Sequence, residues 1–349
     1  MPSYPELKLY VGGEWRSRDG APVINPADES ILGTVPHATR GDLDDALEAA
    51  EEGFRVWRNT SPAKRGAIIQ RAAQICRERA DEDAVAITLE QGKPLAQAKL
   101  EIVRGTDIID WDATEGRRVY GRVIPSEPGM RNTVLRQPIG VVAAFSPWNF
   151  PMSSPGRKVA GALSSGCSII LKASEETPAG AYNLVRAFAD AGLPPGVLNL
   201  VFGVPSEVSS YLIPQPGVRL VTFTGSIPVG KHLSAMAGEH MKPAIMELGG
   251  HAPVIVCDDA DPEASAAISA ATKSRNSGGL HLADPLLCAG GDLRALHHRI
   301  WRKGEADQSR GRARPGDTDG AGRQRPAARG DGGADRRRQS QGRSRRRRR

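Results

Sequence analysis

Several features that mark other classes of protein are scarce in this chain of 349 residues. No stretch approaches the roughly 18 consecutive apolar residues of a membrane-spanning helix, and residues 1–10 have no basic start followed by an apolar run. Only four cysteines occur, and their spacing suits neither a zinc site nor a disulfide framework. These absences predict a cytoplasmic protein without a membrane partner and without a metal.

Acidic residues are outnumbered by basic ones, which gives a net charge of +7, but the imbalance lies at one end. Residues 279–349 contain 18 Arg and one Lys against eight acidic residues, so their net charge of +11 leaves −4 for residues 1–278. A basic run can contact phosphates, but a nucleic-acid site needs interleaved aromatic side chains or a folded platform. The tail has one Trp and no Phe or Tyr, so we expect only non-specific nucleic-acid contact there.

The first hundred residues show helical periodicity. One predicted helix follows Asp42, taken as its N-cap, with apolar residues at steps of three and four: Leu43, Leu47, Ala50, Phe54 and Trp57. A second begins at Ser61 and Pro62, with an inner face of Ile68, Ile69, Ala72, Ile75 and Cys76.

From residue 140 onward, short apolar runs alternate with helical patterns. Strands are predicted at 140–145, 167–171, 197–202, 220–223 and 252–256, with helices near 158–163, 179–189, 206–212 and 229–237. Apolar runs without alternation are typical of strands buried on both faces by helices. This predicts an α/β fold with a doubly wound, Rossmann-like parallel sheet, whose ligand lies beyond the carboxyl ends of the strands.

Segment 223–230, with the sequence FTGSIPVG, follows a predicted strand and opens a helix. Its first amides can therefore face a phosphate at the positive end of the helix dipole. It is not a G-x-G-x-x-G fingerprint, and such a glycine pair is structural about half the time. Lys172 and Glu175 follow the strand that ends at Leu171, where a nucleotide ribose would lie, although solvated loop charges explain them equally well.

Two further segments carry candidate catalytic groups. Asn149 lies in the proline-bracketed turn PWNFP at 147–151, and an oriented amide is a good oxyanion donor. A plain turn would also explain the prolines. Glu247 follows an apolar run and precedes Gly249 and Gly250, which let a substrate or water approach the backbone, so it is a candidate general base.

In this order and spacing, these segments resemble the aldehyde dehydrogenase superfamily over residues 1–278. Further matching stretches are LYVGGEW at 9–15, LEQGKP at 89–94 and RKVA at 157–160. Residues 90–94 and 121–125 are most similar to the succinate-semialdehyde dehydrogenase branch. The resemblance implies an oxidoreductase that converts an aldehyde, succinic semialdehyde above all, to the carboxylic acid with NAD(P), and that forms a homo-oligomer.

The resemblance also implies roles for individual residues. Asn149 would be the oxyanion-hole amide, and Glu247 would activate the hydrolytic water. The cofactor-binding residues would be Trp148, Lys172, Glu175, Gly225, Ser226, Gly230, Leu248 and Gly249. A carboxylate at Glu175 would repel a 2′-phosphate, which favours NAD over NADP. Arg157 would bind a substrate carboxylate, with a surface helix arginine as the alternative.

The family's reaction also needs a cysteine thiolate as nucleophile. The matching G-Q-x-C segment falls at 278–281, where His281 occupies the nucleophile position. Cys167 and Cys257 border predicted strands, Cys76 lies in a packing helix, and Cys288 lies in the tail, so none replaces it. We therefore predict that the chain as translated is inactive.

Residues 279–349 consist mostly of Gly, Arg, Asp, Ala and Pro, which predicts disorder because little apolar surface offsets the ordering entropy. When residues 279–291 are back-translated, with synonymous third bases chosen freely, and read one nucleotide later, they give VCISPTRFFVQE. This is similar to the family's sequence after its G-Q. A frameshift is therefore compatible with the tail.

The predicted organisation has three parts. Residues 1–246 form an NAD-binding domain, with a hairpin at 115–135 for oligomerisation. Residues 247–278 begin a catalytic domain, and 279–349 form the aberrant tail, without the C-terminal segment that pairs subunits in the family. The alternatives are a catalytically dead NAD-binding or regulatory module and a nucleic-acid binder with a basic tail.

Overall fold

The computed structural model describes residues 4–251, 253–257, 259–273 and 286–288. The α-helices of these residues are α1 (Arg40–Trp57), α2 (Pro62–Glu78), α3 (Ala80–Gln91), α4 (Leu95–Glu115), α5 (Ser153–Ser164), α6 (Pro178–Asp190), α7 (Pro205–Leu212), α8 (Ile227–Glu239) and α9 (Pro262–Lys273). The strands are β1 (Leu9–Val11), β2 (Glu14–Arg16), β3 (Gly20–Ile24), β4 (Ile31–Pro36), β5 (Arg122–Ile124), β6 (Asn132–Val134), β7 (Val141–Phe145), β8 (Ser168–Lys172), β9 (Leu198–Val201), β10 (Val218–Gly225), β11 (Ala244–Leu248), β12 (Val254–Val256) and β13 (Leu286–Cys288).

Seven of these strands form the main sheet, in the order β11-β10-β7-β8-β9-β1-β2. The pairs from β11 to β9 are parallel, whereas β1 and β2 are added antiparallel beyond β9. The chain passes from β7 to β8 and β9 on one side, then returns to β10 and β11 on the other side of β7. This reversal is a topological switch point, and it confirms the predicted doubly wound α/β fold.

The core surrounds the central strands. Every residue of β7, β8 and β9 is buried, as expected for apolar strands covered by helices. Helices α1 and α5 pack on β7 and β8, α6 packs on β9, and α8 packs on β10 and β11. The predicted start of α2 is confirmed, with Ser61 as the N-cap and Pro62 in the first turn.

The predicted N-cap of α1 is wrong by three residues. The cap is Thr39, whose Oγ1 accepts from the amide of Asp42 at 3.2 Å, while Asp42 Oδ2 accepts from the amide of Thr39 at 3.0 Å. Threonine and aspartate are both common N-cap residues, so the sequence alone did not decide which of the two caps α1. Arg18 then pairs with Asp42 at 2.8 Å, and the Asp42 side chain is only 1% exposed.

Two strand predictions also need correction. Ala244–Leu248, which the sequence pattern did not identify as a strand, is the edge strand β11, with Glu247 opposite Thr224. Glu247 interrupts the apolar run of this strand, so the sequence lacks the uninterrupted apolar pattern that predicts a buried strand. The strand predicted at 252–256 is Val254–Val256, and it pairs with Leu286–Cys288 in a separate two-stranded sheet. Residue 252 lies outside the described residues.

Leu286–Cys288, within the segment predicted to be disordered, pairs with β12 as strand β13. The rest of that segment, including His281, lies outside the described residues.

A hairpin of β5 and β6 lies within residues 115–135, with Arg122 opposite Val134. Its strands are mostly exposed, and Val123 exposes 75% of its surface.

Within the described ranges, no helix is both long and apolar enough to cross a membrane.

The start of the chain is tied to residues far along the sequence. Tyr4 donates its hydroxyl to Glu90 Oε2 at 2.6 Å, and the amide of Ala179 donates to the same carboxylate at 2.8 Å. Burial raises the pKa of Glu90 to about 7. In β1, Tyr10 pairs with Leu200 of β9. These contacts join the N-terminal segment to α3, α6 and the sheet.

Candidate active site at the switch point

Four parallel strands end at segments that the sequence analysis singled out. The register places Phe145, the last residue of β7, beside both Lys172 of β8 and Phe223 of β10. Gly225 at the end of β10 lies beside Leu248 at the end of β11. Adjacent strands lie about 4.8 Å apart, so these strand ends share one edge of the sheet around the switch point. The parallel topology thus brings together segments separated by up to a hundred residues.

The turn after β7 carries Trp148 and Asn149. Asn149 is only 8% exposed, and its backbone carbonyl accepts from Gln91 Nε2 at 2.7 Å and from Lys93 Nζ at 3.3 Å. The carbonyl of Trp148 accepts from Thr177 Oγ1 at 3.0 Å. Hydrogen bonds from the connection between α3 and α4 and from Thr177, the N-cap of α6, therefore fix the backbone that carries the Asn149 amide.

Lys172 and Glu175 form an ion pair at the end of β8, with Nζ to Oε1 at 2.5 Å. Lys172 is 4% exposed, whereas Glu175 is partly exposed. Burial lowers the pKa of Lys172, and the charge of Glu175 opposes that shift. The pair presents two hydrogen-bonding groups at the sheet edge, as a ribose site requires.

The turn between β10 and α8 has the form of an anion site. Ser226 is the exposed N-cap of α8, and the first amides of a helix lack intrahelical partners. A Cβ at Gly230 would lie 2.3 Å from Leu248 Cδ2, so a larger residue there would require the Leu248 side chain to move. The amide of Gly249 donates to the Gly225 carbonyl at 3.2 Å, which links the two turns.

A cavity of about 770 Å³ adjoins this edge and is lined by residues of α4, α5, β10 and β11, Glu247 among them. Lys158 Nζ donates to Thr222 Oγ1 at 3.2 Å inside the cavity. Burial lowers the pKa of Lys158 to about 8, and the charge of Glu247 opposes the shift. Arg157 is exposed on the same wall, and its charge lowers the pKa of Asp112 against the larger effect of burial.

The structure therefore gathers ten of the predicted site residues at one edge: Trp148, Asn149, Lys172, Glu175, Gly225, Ser226, Gly230, Glu247, Leu248 and Gly249. Arg157 lies along α5 in the adjoining cavity, and the nucleophile position His281 lies outside the described residues. Sequence reasoning missed Lys158 as a site residue. The available signal was a lysine directly after Arg157 in an otherwise buried helix.

Comparison with known proteins gives the same picture over most of the chain. The profile described as "Aldehyde dehydrogenase family" matches residues 15–282. The chain is 47% identical over 275 residues to 4-(hydroxymethyl)benzenesulfonate dehydrogenase TsaD1 of Comamonas testosteroni, covering 78% of this chain and 58% of that protein. It is 40% identical to succinate semialdehyde dehydrogenase of Acinetobacter baylyi, covering 78% of this chain and 57% of that protein.

Among solved structures, succinate-semialdehyde dehydrogenase from Burkholderia pseudomallei superposes with a TM-score of 0.82 at 37% identity. The match covers 89% of this chain and 64% of that chain. The chain thus spans less than two thirds of the length of each of these three relatives.

Proposed function

Since the chain belongs to the aldehyde dehydrogenase family, we propose that it supplies the cofactor-binding half of an enzyme that oxidises an aldehyde to the carboxylic acid with NAD(P). One observation carries this proposal: the Asn149 turn, the Lys172–Glu175 pair, the Ser226 helix start and Glu247 converge at the switch point of the sheet. This is where doubly wound sheets bind nucleotides.

The residues present fit a dinucleotide. The start of α8 offers amides and a positive dipole end to a pyrophosphate, and Lys172 with Glu175 offers partners to a ribose. Trp148, Gly225, Gly230, Leu248 and Gly249 complete the proposed cofactor site. When bound, the nicotinamide supplies the hydride acceptor. The Glu175 carboxylate disfavours a 2′-phosphate, so we propose NAD as the preferred cofactor.

In the proposed reaction, the Asn149 amide donates to the aldehyde oxygen as negative charge develops on it. Glu247 accepts a proton from the water that hydrolyses the acyl group. Lys158 balances the charge of Glu247 within the same cavity. The nucleophile position holds His281, and a histidine does not form the thioester on which this route depends.

We therefore propose that the chain as translated does not turn over aldehyde. Purified protein should show no aldehyde-dependent NADH formation, while a gene with the reading frame restored near codon 279 should give an active enzyme. The His281→Cys variant alone should stay inactive, because the thiolate must reach within about 3–3.5 Å of the carbonyl carbon. Turnover by the parent chain that Glu247→Ala abolishes would contradict this proposal. Saturable NAD binding without turnover would instead support the alternative, a catalytically dead cofactor-binding module.

For the substrate, we propose a short aldehyde that carries an acidic group, succinic semialdehyde above all. Two arginines, Arg104 of α4 and Arg157 of α5, line the cavity beside Glu247. Two of the relatives are named for acidic compounds, a sulfonate and a semialdehyde of succinate. These names agree on an acidic group but differ in substrate size, so they support the acidic group more strongly than a particular chain length. The cytoplasm remains the proposed location.

Kinetics of the frame-restored enzyme test this choice. Arg157→Ala should raise KM for succinic semialdehyde by about tenfold or more, since a charged hydrogen bond is worth about 1.5–3 kcal/mol. KM for an uncharged aldehyde of similar length should change little. Equal changes for the two aldehydes would remove Arg157 from the substrate site.

We also propose that the β5–β6 hairpin pairs subunits. Exposed apolar residues in and beside the hairpin, including Tyr120 and Val123 at 71% and 75% exposure, support an interface. A monomer of the frame-restored enzyme at micromolar concentration would contradict this. We also propose that the cofactor-binding domain ends at residue 246, and limited proteolysis between 246 and 254 would test that boundary.

A further inference from the structure

The elbow between α3 and α4 has no part in the proposed reaction, yet it lies against the Asn149 turn. Helix α3 ends at Gln91, Gly92 adopts the left-handed conformation with φ +79°, and α4 begins after Pro94. This tight reversal places Gln91 and Lys93 within hydrogen-bonding distance of one carbonyl, that of Asn149. Residues of the LEQGKP stretch therefore hydrogen-bond to the Asn149 turn.

Lys93 is held in a buried ion pair. Its Nζ bonds Glu101 Oε2 of α4, and both side chains are 1% exposed. The same Nζ lies 3.3 Å from the Asn149 carbonyl oxygen and 5.0 Å from the centre of the Phe150 ring. One ammonium group thus contacts two consecutive residues of the turn.

Glu101 fixes the other end of the same segment. Its second oxygen, Oε1, accepts from the amides of Met152 at 3.0 Å and Ser153 at 3.2 Å, at the start of α5. A carboxylate at a helix N-terminus satisfies unpaired amides and opposes the helix dipole. Residues 149–153 are therefore bonded at both ends by one buried pair and Gln91.

A buried ion pair is an expensive way to gain stability, because desolvation of the two charges can exceed their attraction. Apolar side chains of similar volume would serve packing equally well. The ion pair differs from apolar side chains because its hydrogen bonds fix the position of the backbone of residues 149–153 within a narrow range. Catalytic donors need such precision, and a displacement of about 1 Å can cost about a hundredfold in rate.

We infer that Gln91, Lys93 and Glu101 are positioning residues that set the orientation of the Asn149 side-chain amide. This inference rests on the oxyanion role proposed for Asn149. The three residues act through the backbone of the turn, and Glu101 also borders the cavity beside Glu247.

The test observes Asn149 directly in the full chain. The sequence contains seven asparagines, so labelling with ¹⁵N-asparagine gives few side-chain amide signals, and Asn149→Asp identifies the pair from Asn149. The main variant is K93M/E101Q, which removes both charges but keeps an acceptor for the amides of Met152 and Ser153. A second variant, Gln91→Met, removes a donor to the carbonyl without changing charge.

We expect both variants to shift or broaden the Asn149 signals, and their combination to do so more than either alone. Arg18→Met is the control, since it removes one of the two arginine partners of Asp42, a residue outside the Asn149 turn whose side chain is also 1% exposed. It should lower stability without moving the Asn149 signals. That contrast separates positioning from general destabilisation.

Unchanged Asn149 signals in a folded K93M/E101Q variant and in Gln91→Met would overturn the inference. If K93M/E101Q fails to fold, Gln91→Met decides alone. NAD titration gives a separate readout: the variants should keep most of the affinity of the parent chain for NAD, because Lys172, Glu175 and Ser226 lie at the ends of other strands. If the parent chain does not bind NAD, the proposed function is wrong. The Asn149 signals would still test whether Gln91, Lys93 and Glu101 set the orientation of the Asn149 amide.

Discussion

The two sides of the switch point are held in different ways. On one side, the Asn149 turn is buried and bonded by residues of α3 and α4. On the other, Glu247 is exposed on β11, an edge strand whose partner among the described residues is β10. The contacts that hold the Asn149 side therefore lie within the described residues, whereas the position of Glu247 depends on what packs onto β11. Variants on each side should behave accordingly.

The largest effect should come from removing one charge of the buried Lys93–Glu101 pair and leaving the other. Lys93→Met leaves Glu101 as an uncompensated buried charge and should lower the free energy of unfolding by about 3–5 kcal/mol. K93M/E101Q should recover most of that loss. Arg77→Met, which breaks a pair with Asp110 at 30% and 34% exposure, should cost about 1 kcal/mol or less. Urea unfolding measures all three, and equal losses would refute the contrast between buried and exposed pairs.

The buried side should also lose stability as the pH rises. Burial raises the pKa of Asp83 on α3 to about 7, and its Oδ1 has no hydrogen-bond partner. The unfolded carboxyl titrates near its ordinary value of 3.8, so between the two values the folded state binds one proton more. Stability should fall through this window by up to about 1.4 kcal/mol per pH unit.

Asp83→Asn should reduce that slope between pH 4 and 7 and leave the part that comes from Glu90, whose pKa is also raised to about 7. Asp110→Asn, on the surface of α4, provides the control and should leave the slope intact. Urea unfolding at a series of pH values measures both. An unaltered slope in Asp83→Asn would show that Asp83 is not the titrating group.

The open side should show the opposite dependence at higher pH. The pKa of Lys158 is lowered to about 8 in the folded state from 10.5, so between these values the unfolded state binds one proton more. Stability should therefore rise with pH through this window. Lys158→Met should reduce the rise, as seen by urea unfolding between pH 8 and 10, and leave the part that comes from Lys172, whose pKa burial also lowers. Lys231→Met on α8 should retain the full rise. An unchanged rise in Lys158→Met would contradict the assignment.

The smallest effect should come from the contact between α8 and β11. Gly230→Ala places a Cβ 2.3 Å from Leu248 Cδ2, and the flexible leucine can give way at a cost of about 1 kcal/mol. Gly238→Ala in the same helix meets nothing within 4 Å and should stabilise by about 0.5–1 kcal/mol. Thermal unfolding compares the pair. A stabilised Gly230→Ala variant would mean that β11 moves freely.

The same contrast explains what the sequence revealed. β7 to β9 were predictable because uninterrupted apolar runs signal strands buried on both faces, and the strand ends then placed Asn149, Lys172 and Gly225 at one edge. β11 was missed because Glu247 breaks its apolar run, which is a consequence of its position at the open edge.

Other features depend on contacts between distant residues, which local patterns do not encode. Lys93 and Asn149 are 56 residues apart, and the link between them exists only after α3, α4 and the sheet have packed. The N-cap of α1 was missed for a different reason. Thr39 and Asp42 bond reciprocally, so either residue suits the cap by type, and only the geometry distinguishes them.

The anchoring of the N-terminal segment bears on how the chain folds during synthesis. Tyr10 pairs with Leu200, and Tyr4 bonds Glu90, whose carboxylate also receives the amide of Ala179. Ribosomes add about 5–20 residues per second, so β1 leaves the ribosome about 10–40 s before Leu200 of β9. Residues 4–11 are thus made well before the distant residues that hold them, and we expect their amides to exchange readily with solvent until β9 has been made.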